Sequence, residues 1–531
     1  MKGTSGTSHL YDHVIVGGGH NGLTAAGYLA RAGRRVLLLE RLDATGGAAV
    51  SADAFEGVEA RLSRYSYLVS LLPKRIIRDL GLDVSLVRRR YSSYTPLPGT
   101  DRGLLIDNGD EAATAASFDA IGAGSDIPAW HRFYDGTARL AASLFPTVTE
   151  PLLTRAEAKR ALGDDRLWHD LIEQPIGTTI TDAFSHDLVR GVVATDALIG
   201  TFAPPVDDTL EANRCFAYHV IGGGTGDWDV PVGGMGAVTA ALWRAAIAAG
   251  AEVVTGAEVV AVTPDGEVTF RRTVAGDAGR SEAVRASSVL ANVAPFELER
   301  LLAAGGAASA TPATKPEGAQ VKVNLMLARL PRLKGGVDPA AAFGGTFHIN
   351  ESWSQLAAAY DAASAGRIPD PLPAEIYCHS LSDPSILSPE LRASGAQTLT
   401  VFGLHVPDRL TRGADHDRLR DELQRAVLAS LDSVLDEPIA DVLLTDAAGR
   451  PCIETKTTLD IENALAMPGG NIFHGPLSWP FADDADELAT PAQQWGVATE
   501  HERVLLCGSG ARRGGAVSGI GGHNAAMAAL G

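Results

Sequence analysis

The chain has 531 residues, 45% of them hydrophobic and 21% charged, which suits one large or two to three ordinary domains and excludes a disordered chain. A formal net charge of −19 argues against a nucleic-acid partner and against an anionic membrane bound through charge. Cys215, Cys378, Cys452 and Cys507 form no C-x-x-C pair, so neither a zinc site nor a dithiol couple is indicated, and a reducing compartment, the cytoplasm, is expected.

Residues 1–10 lack the apolar core of a signal peptide, and no stretch approaches the ~20 apolar residues that span a bilayer. Peripheral contact with lipid stays open. Val14-Ile15-Val16 reads as a short buried strand. Gly17-x-Gly19-x-x-Gly22 follows at once, then a small-residue helix over 23–32 ended by Gly33, then a second apolar run, Val36 to Leu39, ending in Glu40. This unit is of the kind that binds a dinucleotide. Gly17 allows the tight turn, Gly19 the approach of a pyrophosphate, and Gly22 the packing of helix on strand. The helix N-terminus aims unpaired N–H groups at the phosphates. Glu40, 18 residues after Gly22, can accept both ribose hydroxyls. The motif alone does not separate NAD from FAD.

Residues 76–224 carry no nucleotide motif and show mixed helical patterns, among them 127–145, as a substrate or cap region would. Residues 231–272 return to a Gly-rich turn, a helix over 236–249, and two strands turned at Asp265-Gly266. Residues 286–295 read as a further buried strand, 303–315 as an exposed loop, and 320–330 as an alternating strand. Helices are expected over 356–365 and 418–435. An apolar strand over 504–507 precedes Gly508-Ser509-Gly510, Gly514-Gly515, Val517-Ser518-Gly519 and a helix from about His523. The alternative for that glycine-rich run is a flexible tail.

Four stretches now carry a resemblance: 14–47 with its second pair Gly46-Gly47 after Glu40 and Arg41, the GGMGAVTAAL segment at 233–242, GGNIFHGPLS at 469–478, and GGAVSGIGGHNAA at 514–526. They are similar to phytoene desaturase-type FAD-dependent oxidoreductases of the flavin amine oxidase superfamily, nearest the pyridine nucleotide-disulfide oxidoreductase domain 2-like branch. The resemblance implies an α/β fold. A Rossmann-like FAD domain would be assembled from 11–75, 225–300 and 495–531, and a substrate domain from the insertions 76–224 and 301–494. It implies non-covalent FAD held by Gly17, Gly19, Gly22, Glu40, Arg41, Gly46, Gly47, Val259, Gly508, Gly515, Val517 and Ser518. The implied reaction is hydride transfer to flavin N5 from an apolar or conjugated small molecule, a desaturation. An amine or amino-acid oxidase and a non-redox isomerase stay open, as does the electron acceptor.

Two residues are singled out for catalysis. Lys322 is one of seven lysines against 38 arginines and sits in the apolar run AQVKVNLML, where a charge is costly. Superfamily relatives place a lysine from a comparable strand near flavin N5. The competing reading is an edge-strand lysine reaching solvent. His474 reads as an acid or base over the flavin, or as a histidine satisfying loop carbonyls. His348 and His523 read as structural, and Tyr65, Trp479 and Phe481 as walls of an apolar channel or as core.

Overall fold

The computed structural model describes residues 10–273, 279–310, 312–413 and 415–531. The reading of residues 1–9 as free of a secretion signal lies outside them.

The apolar run Leu10–Val16 pairs in parallel with Val36–Leu39 on one side and with Ser281–Ala291 on the other. Glu252–Val254 extends the sheet beyond Val36–Leu39, and Val504–Leu506 lies parallel beside Ser281–Ala291. An antiparallel ribbon, Ala257–Val262 with Glu267–Arg272, completes the seven strands. Alternation decides which side chains go to which face. Ile15, Leu38 and Leu290 enter the core beneath the helices His20–Arg31, Met235–Ala248 and Ile520–Leu530. Val14, Val16, Leu37 and Leu39 enter the opposite core, with Leu298 and Leu301 of the helix Pro295–Ala304. Burial on both faces is why these strands read as continuous apolar runs.

A second seven-stranded sheet is drawn from the intervening segments. Its order is Ile453–Lys456, Gln320–Leu327, Gln397–Leu404, Ala374–Tyr377, Thr346–Ile349, Tyr91–Pro96, Gly103–Asp107. One face is apolar: Val321, Val323, Leu325, Leu399, Val401, Ile376 and Phe347 pack with Leu423, Val427 and Leu431 of the helix His416–Val434. The other face is polar and turns towards the first sheet's cofactor end. Helices between residues 111 and 220 roof this polar face around a core of Trp168, Phe184 and Phe216. Among the described residues no helix is long and apolar enough to cross a membrane.

Trp479 and Phe481 do not wall a channel. They stack on each other at 5.7 Å inside the helical core, against Trp168. Two apolar rings so close in sequence served packing, as such pairs most often do.

Candidate functional site

The site starts from the glycine turn. Gly17 has φ +97°, and a Cβ there would stand 2.7 Å from the Asn292 carbonyl oxygen. A Cβ on Gly22 would stand 2.2 Å from the Gly17 oxygen, so only glycine lets the helix lie so close to the strand. Gly19 is the N-cap of His20–Arg31 and offers no side-chain cap, and the first turn holds no acid. The helix N-terminus therefore presents free donors and the positive end of its dipole to the cavity. The second pair packs onto the first: the Gly46 N–H donates to the Gly18 oxygen at 2.9 Å, and a Cβ on Gly47 would stand 3.2 Å from the Gly19 Cα. The Glu40 carboxylate accepts the Gly18 N–H at 2.7 Å and the Leu42 N–H at 2.8 Å. Its remaining lone pairs face the cavity that it lines.

That cavity has a volume of about 250 Å³. One end is bounded by Glu40, Arg41, Val259 and Arg300, the other by Tyr65, Tyr67, Lys322, Phe402 and Phe473. Of the residues assigned from sequence, Gly17, Gly19, Glu40, Arg41, Gly47, Val259, Val517, Lys322 and His474 line it. Gly22 and Gly46 stand behind the turn. Gly508, Gly515 and Ser518, expected from sequence to contact the cofactor, are not among the lining residues. Gly508 packs on Asn292 and Gly515 on Leu477 and Phe473, while the Ser518 oxygen accepts the Ile520 N–H at 3.2 Å. Their neighbours Ser509 and Ala516 line the cavity instead. In an irregular glycine run, spacing alone does not say which residue faces inward.

Lys322 is not an edge residue reaching solvent. Its strand lies inside the sheet, between Gln397–Leu404 and Ile453–Lys456, and the residue is 1% exposed. Its ammonium donates to the carbonyls of Ser63 at 2.9 Å and Tyr65 at 2.8 Å, and stands 5.1 Å from the Phe402 ring centre. Burial holds its pKa well below that of an ordinary lysine, opposed by the charge of Glu454. Glu454 is itself paired with Arg64 and accepts from Asn324 at 3.0 Å.

His474 has φ +65°, and its Nδ1 is buried without a hydrogen-bond partner among the described residues. Burial lowers its pKa to about 4. His20 is held at about 4 mainly by burial and secondarily by His474, and its Nε2 is equally unpartnered. Both imidazoles are therefore neutral, and both residues line the cavity. His523 bonds Asn524 at 2.8 Å and does not line the cavity.

A second chamber of about 140 Å³ adjoins the Lys322 end and shares Tyr67, Leu68, Ile199, His219 and Trp228 with it. Sheet register explains the continuity. Lys456, Lys322, Phe402, Glu375 and His348 are consecutive cross-strand partners, so they form one row on the polar face. Lys322 and Phe402 line the large cavity, and Glu375 and His348 the chamber. Arg89, Asp196, Tyr134 and Tyr377 complete its polar wall. Arg89 donates to the Trp228 carbonyl at 3.2 Å and to Thr346 Oγ1 at 3.1 Å. Burial raises the pKa of Asp196 to about 6 and, with Glu351 adding to it, that of Glu375 to about 8.

Sequence reading missed Arg89, Asp196 and Glu375 and took His348 as structural. Glu375 carried the same signal as Lys322, a lone charge in the short apolar strand Ala374–Tyr377.

A model of the NAD(P)-binding Rossmann-like domain matches residues 15–73. An uncharacterized protein of Mycobacterium tuberculosis is 58% identical over 529 residues, covering 98% of this chain and 97% of that one. The pyridine nucleotide-disulfide oxidoreductase domain-containing protein 2 of Rattus norvegicus is 30% identical over 567 residues, covering 97% and 92%. The chain belongs to this family. The family is of the oxidoreductase type, and the chain carries its dinucleotide-binding domain. A putrescine oxidase redesigned at its cofactor site has the same overall fold, with a TM-score of 0.56 at 16% identity over 98% of this chain and 99% of that one. The disulfide of the family name has no counterpart: Cys215, Cys378, Cys452 and Cys507 are all buried free thiols.

Proposed function

We propose that the chain binds FAD non-covalently and dehydrogenates a small molecule that reaches the cofactor from the polar chamber. The observation that carries the reading is the sheet row that makes one continuous floor from Lys322 to His348. The second glycine pair supports FAD over NAD, because Gly46 and Gly47 lengthen the cradle past the first turn towards Tyr65. Glu40 would hold the adenosine ribose, Val259 the adenine through its backbone, and the helix at His20 the pyrophosphate.

When bound, FAD supplies the hydride acceptor. The protein's part is to orient the substrate, keep water out and manage one proton. Lys322, whose pKa burial holds well below that of an ordinary lysine, can pass a proton once a carbonyl contact is exchanged for water or substrate. His20 and His474 offer neutral imidazole nitrogens on the same wall.

The substrate suited by this lining is amphiphilic. Leu68, Ile199, Phe402 and Phe473 receive its apolar part, and Arg89, Asp196 and Glu375 its polar part. A wholly apolar substrate, as expected from sequence, leaves the charged chamber unexplained. Desaturation of a C–C bond remains the first reading. Oxidation of an amine is the second, favoured by the acids of the chamber and by Tyr67 packed 4.5 Å from Tyr377 and 4.6 Å from Phe402. Anaerobic mixing of the FAD-loaded protein with amphiphilic alkenoic acids, hydroxy acids and amines tests the proposal. Bleaching of the flavin by one class supports it and chooses between the readings. A flavin reducible by dithionite but by no candidate of any class would leave an isomerase or a structural flavoprotein.

A further inference from the structure

We propose that His348, Glu351 and Glu375 hold a divalent transition-metal ion, of the zinc or manganese kind, in the wall of the polar chamber. One ligand atom from each lies within 4.8 Å of the other two. Two donors bound at ~2.0–2.2 Å to one ion stand at most ~4.4 Å apart, so the three side chains would draw in slightly to take it up. His348 Nδ1 is 2.7 Å from Glu351 Oε2 and 3.8 Å from Glu375 Oε1. Glu351 Oε1 is buried and has no hydrogen-bond partner among the described residues, an arrangement that is costly for a carboxylate and needs a cause. A cation supplies one.

The three side chains are built into place. His348 and Glu375 are directly opposed on antiparallel strands. Glu351 follows Asn350, whose backbone is left-handed at φ +58°. The Asn350 side chain fixes that turn by donating to the Leu372 carbonyl at 3.1 Å and to Ser430 Oγ at 3.3 Å. The helix Asp187–Ala194 presses on the backbone from the other side, where a Cβ on Gly191 would stand 1.8 Å from the Glu351 carbonyl oxygen.

Charge points the same way. Asp196 acts electrostatically on both His348 and Glu375, and so does Arg89. Three carboxyl groups gather beside one guanidinium, and burial favours protons on the acids, so a divalent ion can take the place of those protons. A substrate ammonium does not reach the same place. The Glu351 side chain is wholly inaccessible and lies behind the chamber wall, where a bare ion fits and a carbon chain does not. One imidazole and two carboxylates suit zinc or manganese better than the all-oxygen shells of calcium or magnesium. His348 and Glu375 line the chamber, so the ion's open positions face it, ready for water or a substrate oxygen.

The test uses the full chain with its cofactor, stripped by a chelator and titrated calorimetrically with Zn²⁺ and with Mn²⁺ in two buffers of different ionisation enthalpy. The expected result is one saturable equivalent with proton release, since the 2.7 Å contact holds a proton that the ion displaces. Glu351→Gln and Glu375→Gln should weaken binding by at least the ~10–100-fold that even an outer-sphere partner contributes, with an unchanged circular dichroism spectrum. No saturable binding by the wild type, or equal affinity in Glu351→Gln, overturns the proposal. Should the variants misfold, anomalous scattering from wild-type crystals soaked in Zn²⁺ decides, because a peak anywhere but between these three residues overturns it. FAD content is read separately, so failure of the metal site and failure of the flavin reading are distinguishable.

Discussion

Lys322 Nζ donates to the carbonyl of Tyr65 at 2.8 Å, and so fastens the floor of the second sheet to the segment that leaves the glycine cradle. Lys322→Met should leave FAD bound and slow flavin reduction by ~10²–10⁴-fold if the amine relays a proton. The carbonyls of Ser63 and Tyr65 would each lose a buried donor, at about 1–3 kcal/mol apiece. Stopped-flow reduction and thermal melts separate the two effects. A variant reduced at the wild-type rate but less stable would make Lys322 a tether only.

Glu40→Ala should lower FAD affinity roughly 10- to 100-fold, the value of a lost charge-assisted bond of ~1.5–3 kcal/mol. Part of the loss would come from the turn itself, because the same carboxylate holds the N–H groups of Gly18 and Leu42. Fluorescence titration of the apoprotein measures it.

Gly22→Ala should abolish cofactor retention. The added methyl would stand 2.2 Å from the Gly17 oxygen and force the helix off the strand. Purified variant protein should be colourless beside a yellow wild type whose FAD is released by acid. Equal flavin content would mean that the helix can move without harm.

Asp196 sets a pH dependence. Its carboxyl titrates near 3.8 when unfolded and at about 6 when folded, so between those values the folded state binds more protons. Stability contributed by this group therefore falls as pH rises from about 4 to 6 and is level above. Asp196→Asn should flatten that slope in melts followed across the window. An unchanged slope would show that the carboxyl is ionised throughout.

What was legible in the sequence is what local chemistry dictates. The turn at Gly17, the acid at Glu40 and the odd charge at Lys322 each stand out against a regular background. The polar chamber was not legible, because it exists only through register. His348 and Glu375 are 27 residues apart and become neighbours by strand pairing, while Asp196 arrives from a separate helical segment. The same limit holds at Gly508 and Gly515: a glycine's freedom is visible in sequence, but its place in the wall is not.

The sheet that carries the cofactor motif joins Val14 to Val289 and Val289 to Val504, and the Cys507 thiol reaches the Asn21 carbonyl at 3.8 Å. During synthesis the glycine turn thus emerges long before its wall. Contacts of such sequence separation form slowly, and the nascent N-terminal strands must wait with an open edge and exposed apolar faces. Completion of the dinucleotide-binding sheet is then a late event that waits on residues 504–506. Expression conditions that supply chaperones and riboflavin at that stage should govern how much active protein is recovered.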